Sequence, residues 1–143
     1  MELVTGYLSD DQLESEFAEI ALILARLKFP VLIVTYGGGC DWSKVSTDLH
    51  PTIASLLLPE FIAQQEEAGI FYLGGRNDVV FDTNDGKLRF LLCEVSEIHC
   101  ETNDVKLFEL FCERWQRAFA DAYELDRMNG RMRLLSQSEW KRS

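Results

Sequence analysis

The chain has 143 residues, 47% of them hydrophobic, which is enough to form one globular domain that buries its own core. Its 24 acidic and 14 basic residues give a formal net charge of −10, and residues 1–126 hold 23 of the acids and nine of the bases. Such a charge repels nucleic-acid phosphates and anionic membrane surfaces, and it favours a basic protein as partner.

The sequence gives no indication of export or membrane insertion. It has no run of about 18 uncharged apolar residues. The first residues also lack the basic and apolar regions of a secretion signal. We therefore expect a cytoplasmic protein, in which the cysteines are reduced thiols. These cysteines are Cys40, Cys93, Cys100 and Cys112.

The first predicted element is a helix that begins at Ser9 or Asp10, since either side chain can cap the free backbone amides. Apolar residues then recur at helical spacing, namely Leu13, Phe17, Ile20, Leu24 and Leu27. Pro30 ends the helix. The β-branched run from Val31 to Tyr36 follows and predicts a strand buried on both faces.

A glycine-rich loop from Gly37 to Trp42 comes next and contains Cys40. One hypothesis is a small thiol-dependent enzyme or ligand-binding domain that uses this loop, with Cys40 as the nucleophile. The loop is not a phosphate-binding motif, because the following serine and lysine stand in the wrong order and spacing. The other interpretation is a flexible loop that lets Trp42 fold onto the protein or contact a partner.

Residues 51–73 predict a second helix followed by a strand. Pro51 suits a first helical turn, Pro59 predicts a kink or two short helices, and Gly69 ends the pattern. The apolar residues 70–73 predict a strand parallel to the one at 31–36. Strand, helix and strand would then form one right-handed βαβ crossover.

A meander of antiparallel strands is predicted from residue 70 to residue 103. Its clearest part is a hairpin with strands at 79–81 and 88–92 and a turn at 82–87, which is rich in Asn, Asp and Gly. A later strand places Ile98 and Cys100 on one face and Glu97, His99 and Glu101 on the other.

Cys93, His99 and Cys100 are residue types that bind zinc. Neighbouring His99 and Cys100 point to opposite faces of a strand, so they do not easily share a metal ion. We therefore predict no metal site and no cofactor.

A last long helix is predicted from Val105 to Asp126, with a wide aromatic stripe that covers the sheet. Beyond it, residues 131–135 are interpreted as an edge strand. We divide the chain into one globular domain, residues 1–129, and a basic C-terminal tail, residues 130–143.

The predicted fold class is α+β. It has one mixed, mostly antiparallel sheet, made of the βαβ crossover and the meander, packed against the N-terminal and C-terminal helices.

We predict a non-enzymatic binding protein, of the immunity or antitoxin type, that masks a basic partner such as a toxin enzyme with an acidic surface. The predicted partner-binding residues are Glu94, Glu97, Glu101, Asp104 and Trp42. We expect a monomer or a homodimer that binds neither nucleic acid nor membrane. The thiol-dependent enzyme remains the alternative hypothesis.

Overall fold

One mixed β-sheet organises the protein in a computed structural model, which describes residues 1–45 and 50–119 in full and, beyond them, the backbone of residues 122–126 and 131–135. The strands are β1 (Glu2–Val4), β2 (Val31–Tyr36), β3 (Thr52–Ala54), β4 (Val79–Thr83), β5 (Arg89–Leu92), β6 (Ile98–Glu101), β7 (Ala122–Asp126) and β8 (Arg131–Leu135). The α-helices are α1 (Asp10–Arg26), α2 (Leu58–Glu67) and α3 (Val105–Phe119), and a 3₁₀-helix (Ser55–Leu57) precedes α2.

Within these residues the strands are ordered β3-β2-β4-β5-β6-β1-β8-β7. Neighbouring strands are antiparallel except for β1 and β8, which pair in parallel. The prediction of an α+β fold with a mixed, mostly antiparallel sheet is confirmed, and α1 and α3 are the covering helices that the sequence indicated.

The three described α-helices lie on the same side of the sheet, which we call the helix face. Phe17 of α1 meets Phe81 of β4 edge-on, with ring centroids 5.6 Å apart. Phe111 of α3 meets Phe90 of β5 in the same way at 5.2 Å. Helix α2 packs against α1. These contacts make the helix face the site of the hydrophobic core.

The opposite side of the sheet, which we call the open face, carries the alternate side chains of the same strands. Apart from the buried Val4 of β1, which lies opposite His99, these side chains are half-buried or exposed. They include Ile33, Thr35, Val80, Asp82, Arg89, Leu91, His99 and Glu101. None of the three described helices covers this face. The alternation predicted for β6 is confirmed, because Ile98 and Cys100 are fully buried while Glu101 is exposed.

Helix α1 begins where the sequence predicts. The Ser9 hydroxyl accepts the backbone N–H of Gln12, and the Gln12 side chain accepts the backbone N–H of Ser9, which forms a capping box. The helix ends at Arg26, before Pro30, and Phe29 donates its N–H back to the Leu24 carbonyl. Backbone N–H groups that follow the helix therefore satisfy carbonyl groups of its last turn.

A buried carboxylate ties α1 to α3. Glu16 is 2% exposed, and its two oxygens accept hydrogen bonds from the Arg114 guanidinium at 2.9 and 2.6 Å. The indole N–H of Trp115 donates to the same carboxylate at 2.8 Å. Because both carboxylate oxygens have charged or buried donors, this polar group is satisfied inside the core.

The prediction of a helix that begins at Pro51 is wrong. Residues Thr52–Ala54 form β3, which pairs antiparallel with β2. Helix α2 begins only at Leu58, after the 3₁₀-helix, and Pro59 lies in its first turn. Proline has no N–H to donate and is tolerated there, so it does not kink α2. The predicted alternative of two short helices agrees with the 3₁₀-helix followed by α2.

The predicted βαβ crossover does not form. Residues 70–73 are in no strand, and β2 pairs antiparallel with β4. Ile70, Phe71 and Leu73 are nevertheless buried in the hydrophobic core. Their apolar character reflects burial in a loop, since periodicity alone does not separate a short buried strand from other buried segments.

The predicted last helix is too long, and its final residues form a strand. Helix α3 ends at Phe119, and Ala122–Asp126 form β7, which pairs antiparallel with β8. The strand predicted at 131–135 exists, but β7 lies outside it, so β8 is not an edge strand. Pairing with β8 overrides the helical pattern of the sequence here. The predicted domain boundary at residue 129 and the end of the tail lie outside the described residues.

Candidate functional site

The open face carries a row of polar side chains where β6 lies beside β1. Glu97, His99 and Glu101 alternate along β6 and so share this face. The antiparallel register places Glu2 opposite Glu101. The Glu2 carboxylate accepts a hydrogen bond from His99 Nδ1 at 3.2 Å. We call these four side chains, three carboxylates and one imidazole in a line along the open face, the acidic row.

One end of the acidic row borders a depression in the open face with a volume of about 580 Å³. Three of its lining residues are acids, Glu2, Asp82 and Glu101, and one is a base, Arg89. The Arg89 Nε donates to Asp82 at 2.8 Å, while its Nη1 lies 3.9 Å from Glu101. Three carboxylates against one guanidinium leave the charged groups of this depression net negative.

The other end of the acidic row is a cluster of Cys93, Glu97 and His99. One sulfur, one carboxylate oxygen and one ring nitrogen from these residues lie within 4.8 Å of one another. The turn between β5 and β6 creates the cluster, because Cys93 N–H donates to the Glu97 carbonyl at 3.0 Å and Ser96 N–H to the Cys93 carbonyl at 3.1 Å. Directly opposed strand residues share a face, so Cys93 and Glu97 join His99 on the open side.

The contacts within the cluster favour the thiolate form of Cys93 and the protonated form of His99. Burial raises the pKa of Cys93, but hydrogen bonds from the His99 ring and from the N–H groups of Val95 and Glu97 outweigh it and hold the pKa below its ordinary value. Burial lowers the pKa of His99, whereas its contacts with Cys93 and Glu2 raise it above the ordinary value overall. The pair therefore tends toward a thiolate beside an imidazolium.

The predicted acidic partner-binding residues are not brought into one patch. Glu97 belongs to the cluster and Glu101 to the depression, and four residues of strand separate them by about 13 Å. Glu94 is exposed in the turn between β5 and β6. Asp104 caps α3, where its carboxylate accepts the N–H groups of Lys106 and Leu107 at 2.9 and 3.2 Å.

Trp42, the remaining predicted partner-binding residue, lies away from the acidic row. Its ring is 48% exposed and packs edge-on against Tyr36 at 6.3 Å. Tyr36 is buried on the helix face of β2. Trp42 and the acidic row therefore lie on different sides of the sheet.

The glycine-rich loop is held against the neighbouring chain, and Cys40 is enclosed by it. A Cβ at Gly39 would collide with the backbone of Arg76 and Asn77, so this close approach requires glycine. Cys40 is 7% exposed, and its thiol donates to the Asp78 carbonyl at 3.7 Å. Burial raises the pKa of Cys40, which favours a packed structural thiol over a nucleophile.

Sequence analysis placed Glu97 on the His99 face, but it did not place Glu2 or Cys93 there. Glu2 joins His99 across 97 positions of sequence, and no local pattern reports such a pairing. Cys93, in contrast, lies opposite Glu97 across the three-residue turn 94–96, and hairpin register alone would have placed it on the His99 face. The discarded zinc set joined His99 to Cys100, which is fully buried on the helix face.

Comparison with known proteins identifies no relative. No protein-family model matches the chain, and neither does any curated protein or solved structure. Among the described residues, no helix has the length and apolar character that crossing a membrane requires. We therefore infer the function from the geometry of the open face.

Proposed function

We propose that the protein is a cytoplasmic inhibitor of the immunity or antitoxin type, which binds a basic partner protein stoichiometrically through the open face of its sheet. The observation that carries this proposal is the depression where Glu2, Asp82 and Glu101 converge around Arg89. A lysine or arginine side chain of the partner would enter this depression and bind its carboxylates. Bidentate contacts of that kind are among the strongest polar interactions at interfaces.

The overall charge supports the same proposal. A protein with a net charge of −10 attracts a basic partner over several ångströms and speeds its encounter. Glu101 is the best-placed contact, since its side chain is 48% exposed at the edge of the depression. Charges at such positions act mainly on the association rate and on its dependence on salt.

Apolar side chains beside the depression suit an interface. Ile33, Val80 and Leu91 are half-buried on adjacent strands of the open face. A partner that covers them would remove apolar surface from water, at about 25 cal/mol per Å². The open face thus combines an apolar centre with a charged margin, which is the usual anatomy of a protein interface.

The proposal is tested by affinity capture from an extract of the native host with three tagged proteins: wild type, Glu101→Lys and Glu67→Lys. Glu67 is an exposed acid in the last turn of α2, on the helix side, so its reversal makes the same charge change away from the depression. Captures are made at low and at high salt, and co-purified proteins are identified and quantified by mass spectrometry.

We expect wild type and Glu67→Lys to retain one basic protein in equimolar amount at low salt and to lose it at high salt. Glu101→Lys should retain much less of it, since the reversal places a cation where the partner's cation binds. Equal retention by Glu101→Lys, capture that resists salt, or no equimolar partner at all would each contradict the proposal.

A further inference from the structure

We propose that Cys93, Glu97 and His99 form a zinc site, with Glu2 holding the histidine in its metal-binding orientation. The three proposed ligands do not line the depression described above, although Glu2 borders both, and the site does not depend on the identity of a protein partner. Four observations support it: the donor set, its spacing, the contacts behind the donors, and the burial of the cluster.

The donor set suits zinc. Thiolate, imidazole and carboxylate are the three ligand types that proteins use for Zn²⁺, whereas Mg²⁺ and Ca²⁺ take oxygen ligands. A thiolate and a carboxylate with a neutral imidazole supply two negative charges, which balance a divalent ion. Three protein ligands leave the fourth tetrahedral position for a water molecule or for another ligand.

The spacing of the donors is close to that of a bound ion. Ligand atoms in a tetrahedral zinc site lie about 2.0–2.3 Å from the metal and therefore about 3.3–3.8 Å from one another. His99 Nε2 and Glu97 Oε2 are 3.7 Å apart. The Cys93 sulfur, a Glu97 carboxylate oxygen and a His99 ring nitrogen all lie within 4.8 Å of one another. Small side-chain rotations about χ1 and χ2 bring all three atoms into coordination distance.

The contacts behind the donors are those that metal ligands require. His99 Nδ1 donates to the Glu2 carboxylate at 3.2 Å, which fixes the ring and directs Nε2 toward Glu97. A carboxylate behind a ligating histidine is the usual second partner in zinc proteins. The N–H groups of Val95 and Glu97 hydrogen-bond to the Cys93 sulfur and stabilise its thiolate form. Zinc would then replace the proton shared by Cys93 and His99.

The cluster is only partly buried, so an ion can reach it, and its low exposure favours retention of the ion. The side chains of Glu97 and His99 are 12% and 17% exposed, and Cys93 is 9% exposed. Groups this buried interact strongly with an ion because little water competes for them. They nevertheless lie at the surface of the open face, so no part of the core has to open.

The test uses purified protein that has been stripped with a chelator and titrated with Co²⁺ and then with Zn²⁺. Binding is followed by the near-ultraviolet band of a cobalt–thiolate bond, by calorimetry, and by elemental analysis after desalting. The variants are Cys93→Ser and Glu97→Gln, with matched controls Cys112→Ser on α3 and Glu67→Gln on α2. Circular dichroism checks that each variant is folded.

We expect one ion per chain, a cobalt–thiolate band in wild type and both controls, and displacement of Co²⁺ by Zn²⁺. Cys93→Ser should abolish the band, and Glu97→Gln should weaken binding at least tenfold. Glu2→Gln should retain the band but weaken binding about 10- to 100-fold, as expected for a residue that positions a ligand. This variant separates a positioning role from direct ligation.

The proposal is overturned if folded wild-type protein gives neither the band nor a binding heat, which would leave a Cys93–His99 hydrogen bond without metal. It is equally overturned if the band survives in Cys93→Ser and disappears in Cys112→Ser. Should Cys93→Ser not fold, Glu97→Gln decides the question alone, because undiminished binding by that variant contradicts the site.

Discussion

The helix face and the open face belong to the same strands but accommodate polar groups in different ways. On the helix side, Glu16 is the charged residue buried within the described chain, and its carboxylate is matched by Arg114 and Trp115. On the open face, the Glu2 and Glu97 carboxylates of the acidic row lie 3.2 and 3.7 Å from the two ring nitrogens of His99. The comparison indicates that one face contributes mainly stability and that the other is available for binding cations.

The largest difference between the faces should appear for two neighbouring leucines of β5. Leu92 is 1% exposed on the helix face, whereas Leu91 is half-buried on the open face. Leu92→Ala removes a fully packed side chain and should lower the free energy of unfolding by about 2–5 kcal/mol. Leu91→Ala should cost about 1 kcal/mol or less. Urea denaturation of the two variants measures both values, and equal losses would contradict the division into two faces.

Removal of the buried Glu16 carboxylate on the helix side should cause the next largest loss of stability. Glu16→Ala leaves the Trp115 N–H and part of the Arg114 guanidinium without their partner in the core. The expected loss of stability is about 2–4 kcal/mol, because a buried donor keeps its desolvation cost after its acceptor is removed. Glu14→Ala, an exposed position on the same helix, is the control and should change stability by less than about 0.5 kcal/mol. Thermal and urea denaturation should rank the two variants alike.

Cysteines on the two faces should differ in reactivity. Burial raises the pKa of Cys100 to about 12, whereas the pKa of Cys93 lies below its usual value. At pH 8 the ionised fraction of Cys100 is then only about 10⁻⁴, and the ionised fraction of Cys93 is far larger. Chelator-treated protein should therefore react with a disulfide reagent at least about a hundredfold faster at Cys93. Peptide mapping identifies the modified residue, and faster labelling of Cys100 would reverse the account.

The smallest effect on stability is expected for Glu101, the proposed contact with the partner. Glu101→Lys alters an exposed side chain that lies 3.9 Å from Arg89, and it should change the free energy of unfolding by less than about 0.5 kcal/mol. A larger loss in urea denaturation would mean that Glu101 supports the fold. Reduced capture of a partner by this variant would then be no evidence for the proposed function.

Local patterns predicted the parts of the fold that depend on nearby residues. The capping box at Ser9 starts α1, and the turn chemistry around Gly86 produces the β4–β5 hairpin. Alternation along β6 correctly assigned His99 and Glu101 to the same side of the strand. Each of these features is decided by interactions within a few residues.

The remaining features depend on contacts between distant residues. The pairing of β1 with β6 and β8 brings Glu2 to His99, and β7 replaces the end of the predicted last helix because β8 provides a partner strand. The apolar run at residues 70–73 is buried without any strand. Secondary-structure propensity and hydrophobic periodicity do not predict contacts between residues that are distant in the sequence. The cluster of Cys93, Glu97 and His99 lies between these cases, since hairpin register predicts it only once the turn is located.

We propose that the open face carries the binding function. NMR chemical shifts of the backbone amides, followed while a lysine-rich peptide is added at low salt, locate the binding surface. We expect the largest changes in chemical shift around Glu2, Asp82 and Glu101, and we expect these changes to disappear at high salt. Shifts centred instead on the exposed acids at the start of α1, Asp10, Asp11 and Glu14, would contradict this proposal.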